Sequence, residues 1–211
     1  MGTILVTGFE PFSGETVNAS WEAARRLEGW RCGEHVAVAL MLPCVYGASV
    51  DAFIEAFERT RPVATLMTGQ AARRGVVCVE RFARNLANTA TPDNHGVVRG
   101  SAALDPGPAQ FEATAPVSVI ARAIRDGGVS ARVSTNAGDY VCNHLYYGAL
   151  DHLRSASPDT PAVFLHLPAT AQQAPPRASR VRLSTAEASR ALHAAAAALA
   201  SLARVRYAVP L

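Results

Sequence analysis

Short apolar, β-prone runs alternate with helical patterns along nearly the whole chain, and this alternation constrains the fold more than any other feature. The runs span 3–7, 36–42, 63–67, 76–82, 131–134 and 163–167. Between them the apolar spacing predicts helices over 18–27, 49–59, 116–124 and 141–153. Asn18 is placed to cap the first. Ser184-Thr185-Ala186-Glu187 has the form of a capping box and opens a long alanine-rich helix to about 203. Thr68-Gly69-Gln70 reads as a turn, 85–100 as a polar loop broken by Pro92-Asp93-Asn94, and 169–182 as a Pro/Gln/Arg loop. Strands alternating with helices imply an α/β fold, a three-layer α/β/α arrangement around a mostly parallel central sheet. The 211 residues suit one domain spanning 1–211. Sites in such sheets gather at the carboxyl ends of strands. Here that singles out the loops 8–18, 68–75, 84–96 and 135–142 and the end of the 163–167 strand.

Several function classes are disfavoured. No segment approaches the ~20 apolar residues of a membrane span, and the opening Ile4-Leu5-Val6 run carries no signal-peptide features. All 20 basic residues are arginine, the net charge is only +3, and the arginines are scattered rather than striped, which argues against nucleic acid as a partner. Cys32, Cys44, Cys78 and Cys142 form no C-x-x-C pair and no zinc spacing. Reduced thiols in a cytoplasmic protein, with no metal and no cofactor, are therefore expected.

The chemistry-bearing stretch is 134–147, which includes Asn136-Ala137-Gly138, a turn, and Cys142 in the first turn of the following helix. Free N–H groups and the helix dipole there favour a thiolate, below the ~8.5 of an ordinary cysteine. A cysteine near a helix start also serves as a small buried hydrophobe, so a base is needed. His166 lies near the end of an apolar strand and Glu80 near the end of another. Each has a purely structural reading, but with Cys142 they form a nucleophile, base and orienter set. His144 competes as base, although two residues along a helix it points about 200° away. Cys44, just after a strand, is placed to face the same cleft.

The chain resembles the type I pyroglutamyl peptidases (pyrrolidone-carboxylate peptidases). The resemblance rests on Thr7-Gly8-Phe9-Glu10-Pro11-Phe12 with Asn18-Ala19-Ser20-Trp21, Gly69-Gln70-Ala71, and Glu80-Arg81-Phe82-Ala83-Arg84-Asn85. It continues through Pro92-Asp93-Asn94-His95-Gly96, Ala137-Gly138-Asp139-Tyr140-Val141-Cys142-Asn143-His144, and Phe164-Leu165-His166-Leu167-Pro168. It implies a cysteine peptidase that removes N-terminal pyroglutamyl residues, with Cys142 as nucleophile, His166 as general acid/base and Glu80 as orienting carboxylate. Phe9 and Phe12 match the aromatic residues that hold the lactam ring, and Asn18 and Gln70 match positions near the substrate. Tyr140, Val141, Cys44 and Thr91 complete the implied substrate-binding set. Members of the family are often homo-oligomers. A neutral lactam calls for aromatic walls, a few polar groups and no carboxylate for an ammonium.

Some positions depart from the family pattern. Ala90 stands where arginine is usual, and Thr91 replaces a bulky aliphatic. Asp139-Tyr140 replaces Thr-Phe, with Asp139 expected as a solvated N-cap, and Ala71-Ala72-Arg73-Arg74 replaces a glycine-rich segment. Ser13, Ala19 and Cys44 replace Gly, Pro and Thr. Arg73, Arg74 and Arg84 are the candidates to supply the missing cation. Two other readings stay open: a cysteine amidohydrolase for another N-acyl or cyclic amide, and a non-catalytic member that binds pyroglutamyl peptides.

Overall fold

In a computed structural model of the chain, residues 2–170, Gln173 and 183–207 are described, the last four of them as backbone only. Most of the 169–182 loop therefore lies outside the described residues. Seven strands form one sheet in the order β10-β5-β11-β4-β1-β3-β2. They are β1 (Gly2–Phe9), β2 (Arg31–Cys32), β3 (His35–Leu42), β4 (Ala64–Gln70), β5 (Val77–Glu80), β10 (Ala131–Ser134) and β11 (Ala162–Leu167). The neighbours β3, β1, β4 and β11 are parallel. β5 runs antiparallel to β11 and β10 parallel to β5, so this pair, like the short edge strand β2 beside β3, opposes the four parallel strands.

Helices α1 (Ala19–Ala24), α2 (Ala48–Thr60), α3 (Val117–Asp126), α4 (Val141–Ala156) and α5 (Thr185–Tyr207) cover the sheet. One face of the sheet buries Ile4, Val6, Leu66, Val79, Val163 and Leu165 against α1, α3 and α5. Leu5, Met67 and Phe164 point the other way, into a core with α2 and α4. Strands covered on both faces must be apolar at consecutive positions, which explains the unbroken runs in the sequence. Two of the expected caps form. Asn18 Oδ1 accepts from the Ser20 N–H at 3.0 Å. Ser184 and Glu187 exchange the reciprocal bonds of a capping box.

Two expectations change. Thr68-Gly69-Gln70 is no turn: β4 continues through it, because β11 lies alongside and pairs Leu165, His166 and Leu167 with these residues in turn. The polar loop 85–100 contains β7 (Ala87–Thr89), which pairs with β8 (Arg99–Ala102). Nearby β6 (Phe82–Arg84) pairs with β9 (Gln110–Glu112). These ribbons are short and each strand buries at most one residue, so they carry no apolar run for the sequence to reveal. Ser13, where the resemblance implies glycine, sits at φ 54°, the left-handed region that favours that residue.

Candidate active site

The register of the sheet brings the site together. Phe164 pairs with Glu80 and His166 with Cys78 across β11 and β5, while His166 pairs with Gly69 across β11 and β4. Side chains alternate along a strand, so Glu80, Phe164 and His166 share the face covered by α4. Cys142, the second residue of α4, lies over this face. A Cβ placed on Gly69 would stand 2.7 Å from the Cys142 Sγ. The thiol thus rests against the residue directly beside His166. Cys142 and His166 line a common cleft of about 460 Å³, together with Phe12, Gln70, residues 71–74, Thr89, Thr91 and residues 137–140.

His166 Nδ1 lies 2.8 Å from Glu80 Oε1. A carboxylate is an acceptor only, so Nδ1 carries the proton and Nε2 is left as the basic nitrogen. Glu80 is completely buried. The same Oε1 pairs with the Arg74 guanidinium at 3.1 Å, whereas Oε2 has no partner among the described residues. Because β5 runs against its neighbour, Glu80 approaches His166 from within the sheet rather than from the loop rim.

The Cys142 thiol departs from expectation. Burial is the largest influence and pushes it above its ordinary value, with charge at Cys44 and Glu80 adding to this. Its own backbone N–H and Arg74 pull the other way and do not prevail. The helix-start effect is present, but desolvation outweighs it. Asp139 does not cap α4 either. Tyr140 is the N-cap, with no side-chain bond, and Asp139 lines the cleft instead. The lining thus carries one carboxylate beside two cations, the exposed Arg73 and the part-buried Arg74, where an absence of carboxylates was expected.

Of the other anticipated contacts, Phe12, Gln70, Tyr140 and Thr91 line the cleft. Phe12 and Tyr140 form a tilted aromatic pair with centroids 6.0 Å apart, and the Tyr140 hydroxyl donates to the Pro92 carbonyl at 2.9 Å. Gln70 Oε1 accepts from the Ala19 N–H and from Gln173 Nε2. Phe9, Asn18, Cys44 and Val141 stand behind the lining. Phe9 and Val141 are core residues. Asn18 Nδ2 donates to the Glu10 carbonyl. Cys44 is buried with its thiol 3.7 Å from the Tyr140 hydroxyl, and burial, its largest influence, pushes it up to about 12. His144 lies outside the cleft against Tyr46. Burial, then the charge of Arg99, pushes it down to about 4.

Two residues were read only in part or not at all from the sequence. Arg74 was one of three candidates, with Arg73 and Arg84, to supply a cation, and nothing local tied it to Glu80. Asn143 is completely buried. It exchanges bonds with both backbone groups of Arg84 and donates to the Leu86 carbonyl, fastening α4 to the chain beside the cleft. An amide two positions into an apolar helix is the signal that could have found it. The four cysteines are all unpaired. Among the described residues no cluster of metal-ligating side chains occurs and no helix is long and apolar enough to cross a membrane.

A thiol and an imidazole in one cleft of an α/β/α layer, with a carboxylate behind the imidazole, define a cysteine-dependent hydrolase. Comparison with known proteins narrows the class. Residues 2–202 match the family model described as pyroglutamyl peptidase. The pyrrolidone-carboxylate peptidase of Cupriavidus necator is 41% identical over 98% of this chain and 97% of its own length. That of Bacillus subtilis is 39% identical over 81% and 80%. The crystal structure of Bacillus amyloliquefaciens pyroglutamyl peptidase I superposes with a TM-score of 0.91 at 36% identity, covering 95% of this chain and 98% of the other. The chain belongs to the pyroglutamyl peptidase family of cysteine peptidases.

Proposed function

We propose that this protein removes N-terminal pyroglutamyl residues from peptides, with Cys142 as nucleophile, His166 as general acid/base and Glu80 as the group that orients the imidazole. The observation that carries the assignment is the Cys142 sulfur packed over Gly69, beside a His166 whose Nδ1 is bound to a buried carboxylate. With the thiol protonated at rest, His166 Nε2 takes its proton as the sulfur bonds to the pyroglutamyl carbonyl carbon. The N–H groups in the first turn of α4, which have no intrahelical acceptor, hold the oxyanion. The C–N bond then breaks and the leaving amine takes the proton from His166. Water, deprotonated by the same nitrogen, attacks the thioester, which releases pyroglutamate and restores the thiol.

The lactam ring fits against Phe12 and Tyr140, whose rings give an uncharged wall. With Gln70 Oε1 already occupied, its amide N–H is the group left to reach a lactam carbonyl. Thr91 lies on the rim, and Phe9, Asn18, Val141 and Cys44 support the lining from behind. Residues 1–211 act as one catalytic domain in the cytoplasm, on pyroglutamyl peptides rather than nucleic acid or membranes. Sedimentation velocity tests for the homo-oligomer expected from the family.

The deciding assay is hydrolysis of a chromogenic pyroglutamyl amide by wild type and by Cys142→Ser. Wild type should turn over and lose activity to iodoacetamide, and Cys142→Ser should lose at least ~10³-fold in kcat. Release from an alanyl amide but not from the pyroglutamyl amide would overturn the substrate assignment.

A further inference from the structure

We infer that Arg74 is a positioning residue of the reaction, a fourth member behind Cys142, His166 and Glu80; the inference rests on the proposed roles of those three. Glu80 has no exposed surface, and its Oε2 has no partner among the described residues. Its charge is therefore compensated at Oε1 alone, by His166 Nδ1 at 2.8 Å and by the Arg74 guanidinium at 3.1 Å. A neutral imidazole donates one hydrogen bond but carries no charge, so the full positive charge opposite this carboxylate belongs to Arg74. A buried carboxylate without a counter-charge is costly and relieves the cost by taking up a proton. A protonated Glu80 could no longer hold the proton on Nδ1, and the basic nitrogen facing the sulfur would be lost.

The guanidinium is itself fixed. Its NH1 donates to Ser134 Oγ at 3.0 Å and its NH2 to the Asn136 carbonyl. Ser134 ends β10, whose register partner is Glu80, so the strand beside the carboxylate also anchors its counter-ion. The other charged and titratable groups that face Glu80 are Cys142 and Tyr146 on α4 and Arg132 on β10. Tyr146 donates to the Glu80 backbone carbonyl rather than to its side chain. Arg132 directs its guanidinium at the Cys78 sulfur. Neither replaces Arg74.

The alternative is that Arg74 merely ties the segment after β10 to the segment after β4. Arg84 makes a comparable tie, donating to Asn136 Oδ1 at 2.7 Å without reaching Glu80, and so provides a control. Arg74→Gln should lower kcat roughly 10- to 100-fold, the worth of one charge-assisted hydrogen bond in a closed site. KM should change little, and the acid limb of the kcat/KM profile should move to higher pH. Arg74→Lys, which keeps the charge but not the fork, should return the limb toward the wild-type position with part of the rate. Arg84→Met should leave the limb in place.

Alkylation of Cys142 by iodoacetamide, followed by peptide mass spectrometry, gives a readout independent of turnover. At pH 7.5 it should slow several-fold in Arg74→Gln, because a cation beside the thiolate has gone. A folded Arg74→Gln with the wild-type acid limb and alkylation rate would overturn the inference. So would an Arg84→Met that shifts the limb equally. If wild type cleaves no pyroglutamyl amide, the proposed reaction fails, and the alkylation comparison still decides whether Arg74 acts on the cysteine site.

Discussion

Gly69→Ala puts the packing of the site under direct strain. The added Cβ would lie 2.7 Å from Cys142 Sγ and 2.9 Å from Phe164 Cζ. Ordinary contact begins near 3.4 Å, so the sulfur must retreat by about 0.7 Å. The ring cannot absorb the strain. Phe164 is fully buried, with Tyr146 at 5.5 Å and His166 at 4.9 Å between centroids. The sulfur, held by a single rotatable bond, is the group that moves, and it moves away from the neighbour of His166. A misplacement of about 1 Å costs on the order of 10²-fold in rate. The variant should therefore lose roughly 30- to 100-fold in kcat, with KM nearly unchanged. Overpacking should also lower stability by about 1–3 kcal/mol. Steady-state hydrolysis of a pyroglutamyl amide, beside urea unfolding, measures both effects. A folded Gly69→Ala with wild-type kcat would refute the claim that the sulfur must rest over this glycine to react.

Two further outcomes follow from the geometry. Burial raises the Cys142 thiol, so its thiolate fraction grows as pH rises toward that elevated value. The rate of iodoacetamide alkylation at Cys142 in the free enzyme should keep climbing through pH 8–9. A plateau below pH 7 would show a preformed ion pair and refute the protonated resting state. Asn143→Ala strands backbone groups of Arg84 and Leu86 that the amide now satisfies. It should cost about 2–4 kcal/mol in urea unfolding, and a loss under about 1 kcal/mol would mean those groups find other partners.

The local features of this protein were legible in its sequence. Apolar runs at consecutive positions, helical spacing, the Asn18 cap and the Ser184–Glu187 capping box depend on neighbours a few residues away, and they formed as read. Cys142 at a helix start belongs with them, since the turn at 136–138 and the pattern from 141 onward are local. Tertiary structure decided what depends on residues distant in the chain. Glycine at 69 looked like a turn, and only the strand from 162 to 167 pairing beside it turned it into a seat for the sulfur. The direction of β5 cannot be read from its residues, yet that direction presents Glu80 to His166 from inside the sheet. Asp139 became cleft lining rather than a cap. The forces that raise the thiol lie beyond the local sequence for the same reason. The helix-start pull is local, but desolvation is exerted by strands, loops and charges that only the folded chain brings around the sulfur.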